Sequence, residues 1–149
     1  MHMLPKTDWS ALIPHAGSMC LLDAVFAWDE STIHAVSEVL ADNPLRSARG
    51  LHAVHLAEYG AQAMAVHGAL LARAAGADKA KPGRLVSLRD MQLQVEYIDA
   101  RNGRLDVHAQ CLQAGEASAQ YLFRIEQNGV LLASGRAAVI HPEMPPSQV

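Results

Sequence analysis

Residues 50–75, GLHAVHLAEYGAQAMAVHGALLARAA, suit one long helix and nothing else. Alanine, leucine and methionine dominate, no proline interrupts, and Gly76 follows as a C-cap. Apolar residues are spread almost all round the cylinder, so protein encloses this helix on most sides. It nevertheless carries a carboxylate, Glu58, with His55 at i−3 and Gln62 at i+4. At about 100° per residue, these three fall within one narrow sector. A buried helix with His, Glu and Gln along one line either spends stability on a polar network or uses it for chemistry. His52 lies roughly 120° from Glu58 and reads as peripheral, and His67, roughly 180° away, reads as structural.

The flanking segments read as strands. Residues 19–28 (MCLLDAVFAW) are apolar and β-prone, residues 32–39 alternate, and Asp29-Glu30-Ser31 joins them as a hairpin. Asp42-Asn43-Pro44 opens a loop that runs to the helix. Residues 84–98, 104–112, 118–127 and 130–140 read as four more strands in a meander, with Asn102-Gly103 and Asn128-Gly129 as hairpin turns. Residues 1–12 and 141–149 read as an irregular lead-in and tail of a single domain covering 1–149. The length is right for one core and short for two. The class is therefore α+β, with one long central helix wrapped by a single antiparallel sheet of five to six strands. This is the outline of the hotdog fold, and its open sheet edges imply a dimer.

Several function classes are disfavoured. Net charge is −3 and the basic residues do not cluster, so neither nucleic acid nor an acidic membrane is expected as a partner. The N-terminus has no leader-like pattern and no stretch reaches membrane-span length, which makes the cytoplasm the expected location. Cys20 and Cys111 are far apart, and the eight histidines include no HExxH, so no metal is expected. No glycine-rich phosphate loop follows a candidate strand, so no nucleotide cofactor is expected either.

Two segments carry a family resemblance. Ile13-Pro14-His15 followed by MCLLD at 19–23 resembles the opening strand of the bacterial 3-hydroxyacyl-acyl-carrier-protein dehydratases. Glu58-Tyr59-Gly60-Ala61-Gln62 resembles their central-helix motif, a catalytic acid with Ala-Gln three and four residues later. Asn43-Pro44-Leu45-Arg46 and the QAMAVHG run at 62–68 are similar to the branch of that family found in aryl polyene gene clusters. The similarity covers about two-thirds of the chain.

The resemblance implies syn removal of water from a (3R)-3-hydroxyacyl thioester, carried by the phosphopantetheine of an acyl-carrier protein. In that family a loop histidine takes the C2 proton, a helix acid protonates the leaving hydroxyl, and backbone amides near the helix start polarise the thioester carbonyl. Glu58 matches the acid, and Gly50 and Leu51 stand where the amides belong. The histidine has no match, because residues 38–50 (EVLADNPLRSARG) contain none. His55 is the substitute one turn before Glu58, while Asp42 and Asn43 are the nearest residues by position. Gln62 reads as a hydrogen-bonder that fixes the helix, and Arg46 as a guide for the carrier's phosphate. Two further readings stay open: an acyl thioesterase on the same fold, and a weakened subunit paired with an active hotdog partner. The assembly is thus a homodimer or a hetero-oligomer.

Overall fold

In a computed structural model of the protein, which describes residues 3–12, 20–39, 43–76, 84–115 and 117–140, the long helix α1 spans Leu56–Ala74. It starts six residues later than its composition suggests. The preceding residues are drawn off by other bonds: Leu51 O accepts from Ile98 N, and Ala53 N donates to Glu96 O. A 3-10 turn, Ala53–His55, then leads into α1, with His52 Nδ1 accepting from Val54 N at 3.0 Å. At the other end Gly76 takes φ +85° and its N–H donates to Arg73 O, which is the expected cap.

Among the described residues, seven strands form one antiparallel sheet: β1 Leu4–Pro5, β2 Ala24–Trp28, β3 Thr32–Ser37, β4 Arg84–Leu93, β5 Leu105–Ala114, β6 Ser118–Gln127 and β7 Val130–Ile140. The count exceeds the expected five to six because Leu4–Pro5, read as lead-in, pairs with Val25 and Ala24. Trp9, in the same stretch, is fully buried. The tail at 141–149, together with Pro14, His15 and Asp42, lies outside the described residues.

Spatial order is β1-β2-β3-β5-β6-β7-β4, so the last four strands are not a simple meander. Only β5, β6 and β7 follow one another, and β4 lies beyond β7. Asn128-Gly129 is the hairpin turn expected, with φ of +51° and +77° as a type I′ turn requires. Asn102-Gly103 is not a hairpin. Residues 100–102 form a 3-10 turn, Asp99 Oδ1 accepts from Arg101 N, and Gln127 Nε2 donates to both Asp99 O and Gly103 O at 2.8 Å. The chain there leaves β4 and crosses to a place beside β3.

α1 lies against the inner face of this sheet. Phe123 of β6 fills the closest approach, its ring between Gly60 of α1 and Gly135 of β7. Farther along, His67 is fully buried, with Nδ1 2.7 Å from Tyr121 Oη and Nε2 2.8 Å from Asp29 O. A carbonyl only accepts, so Nε2 carries the proton and Nδ1 accepts from the tyrosine. The structural role read for His67 is the one it has. Burial pushes its basicity down.

The outer face carries a pair of imidazoles. His34 of β3 and His108 of β5 stack at 4.1 Å, and His34 Nε2 lies 2.8 Å from Asp106 Oδ1. Burial, the His34 ring and Arg124 together lower His108 to about 4, against the weaker pull of Glu126 and Asp106. Its neutral form is thus favoured in the folded state, and its contribution to stability is complete above about pH 6.5, the unfolded value. That contribution drains away as pH falls towards 4. The melting temperature of the wild-type protein should fall faster over this interval than that of His108→Gln, closing the gap between them; parallel curves would contradict this assignment.

Candidate active site

The site is built around the polar line on α1. Gln62 is fully buried, and its Oε1 accepts from Leu21 N at 2.8 Å. A backbone N–H can only donate, so this bond fixes which end of the amide faces which way. Nε2 therefore faces Glu58 and donates to Oε1 at 3.2 Å. Glu58 and Gln62, expected on one line, are bonded to each other. His55 is half-buried at the junction between the 3-10 turn and α1, and its side chain caps no backbone group there.

Asn43 sits at the base of the turn that follows β3. Its Oδ1 accepts from Leu45 N at 2.8 Å, and its main-chain carbonyl accepts from Arg46 N at 3.0 Å. With Oδ1 so engaged, Nδ2 faces Tyr59 and donates to Oη at 2.6 Å. Burial raises the Tyr59 pKa, and the Asn43 bond opposes that.

A cleft of about 380 Å³ opens between this loop and residues 97–100. Arg46, Gly50 and Leu51 line it, as do Arg49 and Tyr97. The Arg49 guanidinium lies over the Tyr97 ring, 5.4 Å from its centroid. Gly50 closes a tight turn with φ +110°, in which its N–H donates to Ser47 O at 3.0 Å. The Gly50 amide is thus engaged within the turn. Among the expected site residues, Arg46, Gly50 and Leu51 share the cleft, Glu58 and Gln62 share α1, and Asn43 bridges the two groups through Tyr59.

Sequence reasoning did not single out Tyr59, Arg49 or Tyr97. Tyr59 had one available signal, as the only hydroxyl in α1 and a polar tip that burial obliges to find a partner. Among the described residues, no group of three or more His, Cys, Asp or Glu is arranged to hold a metal ion. Nor is any helix among the described residues long and apolar enough to cross a membrane.

A family model, ApeP-like: ApeP dehydratase, matches residues 7–149. The chain belongs to the ApeP dehydratase family. The hotdog fold and the resemblance read from Glu58-Tyr59-Gly60-Ala61-Gln62 agree with that membership. No curated protein matches the chain. Among solved structures, the dehydratase heterocomplex ApeI:P from Xenorhabdus doucetiae superposes with a TM-score of 0.82 at 24% identity, covering 94% of this chain and 92% of that one. The PaaI protein of the E. coli phenylacetic acid degradation operon gives 0.59 at 14% identity, covering 78% and 80%. A mutant of the thioesterase SAV0944 from Staphylococcus aureus gives 0.59 at 18%, covering 79% and 92%. At these identities the three likenesses establish the fold, and membership of the ApeP dehydratases rests on the family model. The chain is accordingly a dehydratase of the hotdog fold.

Proposed function

We propose that this ApeP dehydratase acts on a (3R)-3-hydroxyacyl thioester held on the phosphopantetheine of an acyl-carrier protein, in fatty-acid or aryl-polyene-type biosynthesis. The observation that carries the reading is Glu58, a carboxylate on the central helix oriented by a buried glutamine. Glu58 is the acid. A base removes the C2 proton, the C2–C3 double bond forms as the C3–O bond breaks, and the Glu58 proton leaves with the hydroxyl as water. The product is the trans-2-enoyl thioester, and proton exchange with solvent restores both groups. Arg46 and Arg49 give the cleft a positive rim suited to the carrier's phosphate. Leu51 stands at the thioester end. Asn43 serves by holding the Arg46 turn, since an amide nitrogen is no base.

For the base, His55 is the group of this chain placed one turn before Glu58. A second reading has a histidine supplied by another hotdog chain, with this chain contributing the carboxylate. The missing loop histidine favours it, as does the heterocomplex found in the similar Xenorhabdus structure. Either assembly, two copies or two different chains, would cover the open edge of β4, where Leu88 and Leu93 are exposed.

Crotonyl-CoA separates these readings. Hydration to 3-hydroxybutyryl-CoA at constant thioester is expected. Hydration by the isolated chain, lost in folded His55→Ala, assigns the base to His55; hydration only after a second hotdog subunit is added assigns it to that subunit. Release of free thiol without hydration would instead make the protein a thioesterase, the activity named for the Staphylococcus aureus structure.

A further inference from the structure

Tyr59 is the residue that the proposed chemistry leaves without a task. It is fully buried, next to Glu58 in sequence, and its ring alone would satisfy the core. Its hydroxyl accepts from Asn43 at 2.6 Å, and Ser37 is near enough to bear on its ionisation. The protons can be placed from the groups that have no choice. Asn43 Oδ1 is taken by Leu45 N–H, so the amide donates to Tyr59 Oη. Ser37 Oγ lies 2.6 Å from Leu21 O, which only accepts, so the serine proton goes there. Ser37 Oγ is thereby left with only its lone pairs to offer the Tyr59 hydroxyl.

From there the path runs on through Leu21, whose carbonyl is held by Ser37 and whose N–H is held by Gln62. Gln62 donates to Glu58. Every donor along this path points the same way, from the loop that carries Arg46 towards the carboxylate. One end lies at the turn beside the arginine cleft, and the other is the proposed acid. The members come from α1, β3, the strand approach at Leu21 and the loop after β3, so only the folded chain assembles it.

We propose that Tyr59 is a positioning residue: its hydroxyl ties the Asn43–Arg46 turn to the Ser37–Leu21–Gln62–Glu58 path and so sets the cleft and the carboxylate at a fixed separation. The inference rests on the reading of Glu58 as the acid. A thioester held at the cleft then presents C3 to Glu58 without a further search. Loss of the tie leaves binding largely intact and removes alignment, which appears in kcat more than in KM.

The test compares Tyr59→Phe with Tyr121→Phe, both in the assembled enzyme with crotonyl-CoA. Tyr121 is an equally apt control, being buried, with its hydroxyl 2.7 Å from His67, and standing outside this path. Tyr59→Phe should lower kcat on the order of 10- to 100-fold with KM within about threefold, whereas Tyr121→Phe should lower only the melting temperature. Ser37→Ala cuts the same path at another link and should reproduce the kcat loss, which covers the case of a poorly folding Tyr59→Phe. Equal kcat losses in the two tyrosine variants, or wild-type kcat in Tyr59→Phe while Glu58→Gln is inactive, would overturn the positioning role and leave the reading of Glu58 standing. Full turnover in Glu58→Gln would remove both.

Discussion

Turnover of a crotonyl thioester by Glu58→Gln is expected to fall by about 10²–10⁴-fold, the usual scale for one acid–base group. The substitution keeps the shape of the side chain and removes its transferable proton. It also spares the bond from Gln62. Gln62 Nε2 donates to Glu58 Oε1, and an amide at position 58 can turn its own oxygen to the same donor. The melting temperature should therefore hardly move. A Glu58 whose task is to neutralise a buried cation predicts the reverse: the amide would strand that charge, costing on the order of 3–5 kcal/mol, and activity would follow folding alone. Steady-state hydration measured beside a melting curve decides between them, and unchanged turnover in a folded Glu58→Gln ends the mechanism.

The largest loss of stability should come from a single methyl group at Gly60. A Cβ there would lie 2.7 Å from Cδ2 of Phe123 and 2.9 Å from its Cγ. The ring has no retreat, because Gly135 faces it from the other side, where a Cβ would stand 2.8 Å from Cζ. Alanine favours a helix over glycine by about 1 kcal/mol. Overpacking a closed core costs about 1–3 kcal/mol, and with the ring held on both sides the steric cost outweighs the helical gain. Gly60→Ala should lower the melting temperature by several degrees. Gly68 on the same helix supplies the contrast: its Cβ would meet nothing within 4 Å, so Gly68→Ala should be neutral or stabilising. Adding Phe123→Leu to Gly60→Ala should recover stability, a non-additive pair as expected of residues in contact. Equal melting temperatures for Gly60→Ala and Gly68→Ala would show that the ring moves aside.

What could be read in the sequence was what has a short period or a local cause. The helix announced itself because alanine, leucine and methionine fill it, and Asn128-Gly129 because both residues tolerate positive φ in a two-residue turn. Glu58 and Gln62 were legible as a pair because four residues is one turn. The failures all involve distant partners. Asn102-Gly103 carries the same turn signal, but Gln127 and the 3-10 turn at 100–102 decide its shape. Two-residue β1 is too short to show alternation. The start of α1 slipped because residues 51–53 bond to 96–98, a contact that no window along the chain contains. In the site, Leu21 acts through its peptide groups, which any residue there would supply, and the Asn43–Tyr59 bond depends on a loop meeting the helix.

The position of β4 beyond β7 bears on how the chain emerges from the ribosome. β4 leaves the exit tunnel soon after α1, but its only neighbour in the described sheet is β7, the last strand made. Until residues 130–140 appear, β4 has both edges open, and α1 lacks part of the surface it is to lie on. The nascent chain thus waits with an unpaired strand and an apolar helix exposed, a species prone to sticking to its own kind. Synthesis that stalls before residue 130 should leave the helix and β4 to holding chaperones, whereas completion of β7 joins β4 to the rest of the sheet in one step.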